Sequence, residues 1–183
     1  MKVVVICLLA VFCSLSAQLQ AQKKFTIQKG KVSFTSNAEL ELIKATSEKI
    51  QGVIDPATNQ FAFSIPIQSF QGFNSELQRV HFNEKYMESE TYPKATFAGK
   101  IIEQVDFSAD GLYDVRAKGD LEVHGQKQNR IIRGKIIIMN GVISLESTFK
   151  VPLTDHNISI PKIVNQKIAT EIEVVLNASM KLQ

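Results

Sequence analysis

The sequence predicts an all-β protein, a closed antiparallel barrel of about eight strands with a short helical insert near residues 75–90. Three observations carry this expectation. Beyond Phe25, apolar and polar side chains alternate along most of the chain, the period that sends successive residues to opposite faces of a sheet. Turn residues punctuate those runs at Asp55-Pro56, Asp110-Gly111, Gly125 and Asn140-Gly141, as consecutive hairpins require. One stretch, NSELQRVHFNEKYMES, has helical spacing and lacks Gly and Pro. Many sequential strands, each apolar on one face, must hide those faces and their edges, and closure into a barrel does both. A two-sheet sandwich is the alternative that alternation leaves open.

The first element precedes the barrel. Lys2 is followed by an apolar run from Val3 to Leu15, broken only by Ser14, and then by the small residues Ala17 and Ala21. This is the pattern of a secretory signal peptide, too short to span a membrane, with cleavage expected after Ala21 or alternatively Ala17. Cys13 follows the bulky Val11 and Phe12, which disfavours a lipidated cysteine, so no stable membrane anchor is expected. Both cysteines, Cys7 and Cys13, lie in this leader, and the exported chain has no thiol for a disulfide, a metal or a nucleophile. Residues 22–183 form one domain of ordinary size.

Strands are expected near residues 31–35, 39–45, 48–54, 60–68, 95–104, 112–124, 130–139 and 142–151, with a ninth at 170–181. In FAFSIPI, residues Phe61, Phe63, Ile65 and Ile67 share a face, and Pro66 marks an edge or bulge. Val115, Ala117, Gly119, Leu121 and Val123 face inward on one long strand, and Ile132, Gly134, Ile136 and Ile138 on the next. Ile143, Leu145, Ser147, Phe149 and Val151 continue the pattern, as do Ile172, Val174, Leu176, Ala178 and Met180. The inward Gly119 and Gly134 either permit sharp curvature or leave room for a guest. Asn74 or Ser75 caps the helical insert, which covers one end of the barrel.

A net charge of +3 without long runs of either sign offers no footprint for nucleic acid. The chain contains no nucleophile elbow, P-loop, dinucleotide fingerprint or zinc-binding helix, and no cofactor is expected. His81 and Glu84 have the spacing of half a metal site, and a metal-dependent enzyme built on them is the least favoured reading. No metal is expected, and His81, His124 and His156 are read as local hydrogen-bonding groups.

The insert ending in TYPKATF, the motif GDLEVHG and the late segment VPLTDHNISIP together resemble the YceI-like family of exported bacterial proteins across essentially the whole mature chain. Tyr92-Pro93, Phe97, Gly119, Leu121, Val123, Gly125, Asp155 and Ile158 carry the resemblance. It implies a lipocalin-like barrel, binding rather than catalysis, and an elongated apolar ligand of isoprenoid or fatty acyl type. Around Gln78-Arg79-Val80-His81-Phe82 and Asp155-His156-Asn157-Ile158 the chain departs from the family pattern, which leaves the ligand's identity open.

Within that frame the expected lining is Phe61, Phe63, Ile65, Phe97, Leu121, Gly134, Ile136 and Phe149, although inward aromatics serve equally as ordinary core. Tyr86, Met87 and Tyr92 are expected at the mouth, where an amphipathic ring faces lipid on one side and water on the other. Arg79 or His81 would meet a polar head group. The leading expectation is therefore a periplasmic or secreted carrier of an apolar molecule. Its alternative is a filled barrel acting through its surface as an envelope or stress-related interaction module. Nothing in the pattern excludes a homodimer.

Overall fold

Beyond Phe25 the chain is built of strands and tight turns, as its alternation requires. The computed structural model describes residues 23–183, so the leader expected at residues 1–21 lies outside the described residues. The strands are β1 (Phe25–Asn37), β2 (Leu42–Ser47), β3 (Gln51–Asp55), β4 (Gln60–Pro66), β5 (Lys94–Ile101), β6 (Gly111–Val123), β7 (Gln126–Met139), β8 (Val142–Pro152) and β9 (Glu171–Leu182). Neighbours pair antiparallel in the order β2-β1-β3-β4-β5-β6-β7-β8-β9, and β1 closes the ring against β9. β2 and β3 share one stave. Both pair with β1 in a single continuous register, Asn37 opposite Leu42 through Phe25 opposite Ile54, interrupted between Ser47 and Gln51. The result is an eight-stranded barrel with β2 as an extra strand.

Local chemistry explains where the strands depart from expectation. The first strand begins at Phe25 rather than 31, because a bulge between Ile27 and Lys29 absorbs the break in alternation around Lys29-Gly30-Lys31. β2 ends at Ser47, whose hydroxyl accepts the Lys49 N–H at 3.1 Å and turns the chain. β4 stops at Pro66, and Ile67–Ser69 forms a 3-10 turn. Pro66 has no N–H to donate, so it stands at the last ladder position, opposite Lys94. The hairpin turns His124-Gly125 and Asn140-Gly141 place both central residues at positive φ, the twist a two-residue hairpin demands.

The insert between β4 and β5 folds as expected but more briefly. Helix α1 (Glu76–His81) is capped by Ser75, whose side chain accepts the Gln78 N–H, and it widens into a π-turn over Phe82–Tyr86. Along the edge of β2 that faces this insert, one bridge, Thr46 to Gln71, is the only strand-like pairing among the described residues. The gap above β3 is closed by side chains rather than by a hydrogen-bonded ladder.

The inward faces divide the barrel into two halves. Toward the Asn140-Gly141 turn, Phe25, Ile54, Phe61, Ile136, Ile143 and Met180 pack into one buried cluster that occupies the interior. Toward the helix, buried residues form two smaller groups, one around Val32, Ile65 and Phe70 and the other around Ile67, Met87 and Ile158. Gly119 serves curvature. It lies opposite Gly99 on β5, and a Cβ on it would stand 2.2 Å from the Ala98 carbonyl oxygen. Gly134 likewise abuts backbone, with a Cβ there falling 2.9 Å from the Glu146 carbonyl oxygen.

The β5–β6 loop is held by Glu103, whose carboxylate accepts from the Arg116 backbone N–H at 2.6 Å and from Arg116 Nε at 2.7 Å. Those bonds hold the Glu103 carboxyl below its ordinary range. A depressed carboxyl contributes stability above its unfolded pKa and loses that contribution as pH falls through the folded value. Glu103→Gln is therefore expected to melt below wild type near neutrality, with the gap closing in acid. Thermal unfolding followed by circular dichroism across the acid range checks this, and a gap independent of pH would contradict it.

Candidate ligand-binding site

The half of the barrel nearer the helix is hollow. Its cavity has a volume of about 500 Å³ and a lining dominated by apolar side chains, a size suited to a small-molecule guest. Phe63 and Ile65 on β4, Ala95 and Phe97 on β5, Leu121 and Val123 on β6, and Phe149 and Val151 on β8 contribute to its walls. Ile172, Val174 and Leu176 on β9 and Val32 and Phe34 on β1 complete the ring. Each follows from period-two alternation, which sends every second residue of a closed sheet inward.

Under the helix lies a cluster of four phenylalanines. Phe34 stacks on Phe82 at 5.2 Å between ring centroids and meets Phe70 at 5.3 Å and Phe73 at 5.9 Å, while Phe73 and Phe82 lie 5.0 Å apart. All four rings line the cavity. They come from β1, from the segment before α1 and from the π-turn, so the aromatic helical insert supplies the wall where the ladder is missing. Sequence reasoning missed these four. The only hint was the FQGF stretch before the helix, and their convergence depends on the fold.

The mouth carries the polar groups. Glu41, Ser75, Gln78, His81 and Lys167 lie there, and Gln78 Nε2 donates to Glu41 Oε1 at 2.9 Å. The His81 ring and the Lys167 ammonium have no hydrogen-bonding or ionic partner among the described residues. Tyr86 also faces the cavity. Burial raises its phenol above the ordinary range, which keeps it neutral and able to donate a hydrogen bond.

Of the residues named from sequence, Phe63, Ile65, Tyr86, Met87, Phe97, Leu121, Phe149 and His81 come together around this cavity. Phe61 and Ile136 pack in the filled half instead, and Gly134 sits against β8. Arg79 is spent on an ion pair with Glu76 on the outer side of the helix. Tyr92 lies apart from the mouth. Its ring covers Gly125, where a Cβ would approach it to 2.5 Å, and meets the His124 ring edge-on at 4.7 Å.

That position exposes the role of the most recognisable motifs. His124 bridges the His156 carbonyl at 3.0 Å and Glu88 Oε1 at 3.2 Å. The fully buried His156 places Nδ1 3.1 Å from the Gln126 carbonyl, and so donates there. Asp155 accepts from Gln128 Nε2 through its carbonyl at 2.7 Å and from Arg130 through its carboxylate at 3.1 Å. TYPKATF, GDLEVHG and VPLTDHNISIP thus meet in one polar clasp that ties the end of the insert and the late loop to the β6–β7 hairpin. Among the described residues no group of three or more His, Cys, Asp or Glu is arranged to hold a metal.

A family model for the YceI-like domain matches residues 17–180. The chain belongs to the YceI-like family. Solved relatives share the YceI-like fold at low identity. A domain described as polyisoprenoid-binding from Saccharophagus degradans is 16% identical, with a TM-score of 0.71 over 87% of this chain and 98% of its own. BcnA of Burkholderia cenocepacia is 16% identical, with a TM-score of 0.68 over 82% of this chain and 95% of its own. A mutant YceI protein of Campylobacter jejuni, solved with a monobromobimane guest, is 16% identical, with a TM-score of 0.54 over 69% of this chain and 75% of its own. No curated protein matches the sequence. Among the described residues of this YceI-like chain, no helix is long and apolar enough to cross a membrane.

Proposed function

We propose that this YceI-like barrel is an exported binding protein that encloses an elongated apolar molecule, of isoprenoid or fatty acyl type, in its hollow half. The apolar cavity of about 500 Å³ in the half of the barrel nearer the helix is the observation that carries this reading. Burial supplies the affinity. At roughly 0.8 kcal/mol per methylene, about ten enclosed methylenes give a gross gain on the order of 8 kcal/mol, enough for useful binding after association costs. The chain of the guest lies against Phe63, Phe97, Leu121 and Phe149, and its polar end meets the unpaired His81 and Lys167 at the mouth. The Saccharophagus domain described as polyisoprenoid-binding and the leader pattern in residues 1–21 support cargo class and export respectively. The lining is dominated by apolar side chains with its polar groups gathered at the mouth, which supports binding as the proposed activity.

Native mass spectrometry of the purified protein, followed by organic extraction and lipid mass analysis, tests this. The expected result is an apolar molecule at one per chain. A clean unliganded mass, with no uptake of isoprenoid quinones or fatty acids on incubation, would overturn it in favour of a barrel acting through its outer surface.

A further inference from the structure

The rim of the cavity mouth carries large apolar side chains that face water. Leu40 in the β1–β2 turn is 63% exposed, Leu77 on α1 is 63% exposed, and Ile163 in the late loop is 91% exposed. Hydrogen bonds bring their three segments together. The Leu40 N–H donates to the Gln166 carbonyl at 2.8 Å, Asn74 Nδ2 donates to the Leu42 carbonyl at 3.0 Å, and Gln78 reaches Glu41 as described. Leu77, Val164 and Lys167 line the opening itself.

The charge beside this apolar ring has one sign on its most prominent segment. Residues 156–170 contain Lys162 and Lys167 and neither Asp nor Glu, and both lysines are exposed. Of the acids near the rim, Glu41 turns toward Gln78 and Asn74 and Glu76 is paired with Arg79, while Glu39 beside Leu40 is exposed and is outnumbered by the two lysines. Exposed apolar side chains flanked by lysines are the composition of a segment that lies in the interface of an anionic bilayer.

We propose that this rim docks reversibly on an anionic phospholipid bilayer, with Leu40, Leu77 and Ile163 entering the acyl boundary and Lys162 and Lys167 meeting lipid phosphates. Docking in this orientation turns the cavity mouth toward hydrocarbon, so that an apolar chain passes between membrane and barrel without crossing water. A contact of three side chains is weak enough to release. The inference goes beyond cargo binding and does not need it, since the rim meets the bilayer whether or not the cavity is filled. Leu112 and Met139, 62% and 63% exposed, mark the opposite end of the barrel, next to the packed core of Ile136, Ile143 and Met180, and serve as the internal control.

The test is co-sedimentation of the purified protein with vesicles of phosphatidylglycerol and phosphatidylethanolamine, or of phosphatidylcholine alone. Wild type is expected to partition onto the anionic vesicles and more weakly onto the zwitterionic ones. Leu77→Ser with Ile163→Ser is expected to reduce that partitioning about tenfold or more. Lys162→Glu with Lys167→Glu is expected to abolish the preference for anionic lipid, and Leu112→Ser with Met139→Ser to bind as wild type. All these positions are exposed, so circular dichroism should show unchanged folds. Absence of wild-type binding, or an equal loss in the Leu112 and Met139 pair, would overturn the proposal. So would a concentration-dependent dimer that Ile163→Ser abolishes without any vesicle binding, which would give the rim to a second copy. Because the protein itself is sedimented, failure to extract a cargo leaves this result standing.

Discussion

Phe149→Asp is expected to lower affinity for an apolar guest on the order of 100-fold while leaving the barrel folded, because it places an unpaired carboxylate against the buried chain. Phe149 is suited to this because it lines the cavity but belongs to none of the buried packing groups. The side chain has room to ionise in the empty protein and must be desolvated only when the guest enters. A complementary substitution, Ala95→Trp, blocks the cavity by volume instead of charge, since Ala95 has the smallest side chain among the residues that β4 and β5 contribute to the wall. Uptake of a fatty acid or isoprenoid quinone, followed by native mass spectrometry, reads both. Undiminished uptake by either variant would place the guest elsewhere.

The largest effect on stability is expected at Gly119. A Cβ at this position would meet the Ala98 carbonyl oxygen at 2.2 Å and the Gly99 Cα at 2.9 Å, and these are backbone atoms that a rotamer change cannot move aside. Gly119→Val must therefore part β5 from β6, at a cost of about 3 kcal/mol or more. For a domain of this size that corresponds to a fall in Tm of about 6–12 °C. Gly134→Ala, whose closest backbone contact would be 2.9 Å, should cost distinctly less. Thermal melts of the two variants decide the matter, and a Gly119→Val barrel that melts with wild type would show that β5 and β6 tolerate separation.

The order of these effects shows which parts of the molecule could be read from sequence. Alternation identified the inward faces correctly on β4 and β6 through β9, because the period of a pleated strand is local and survives any tertiary arrangement. It could not say which inward residues meet a neighbour and which meet a void. Phe61 and Phe63 are two residues apart on the same face of β4, yet the first is in the filled half and the second lines the cavity. The difference depends on what seven other staves bring to the same height. Tyr92 has the chemistry of a mouth residue, but the missing side chain of Gly125 gives its ring a surface to cover elsewhere. Phe34, Phe70, Phe73 and Phe82 form the aromatic wall from segments widely separated in the chain, a convergence that no local pattern records.

The interruption between β2 and β3 sets how this container deforms. A hydrogen-bonded ladder fixes the spacing and register of its strands, and the filled end is closed by such ladders. Beside β2 the enclosure is completed by phenyl rings, and rings slide past one another without breaking directional bonds. On the proposed reading, the hollow end is the part that would yield to guests of unequal girth, while the hydrogen-bonded strands behind it hold their shape. For a guest of the proposed kind, selection would then fall to thickness and to the polar tip at the entrance, with length limited by the floor that the filled half provides.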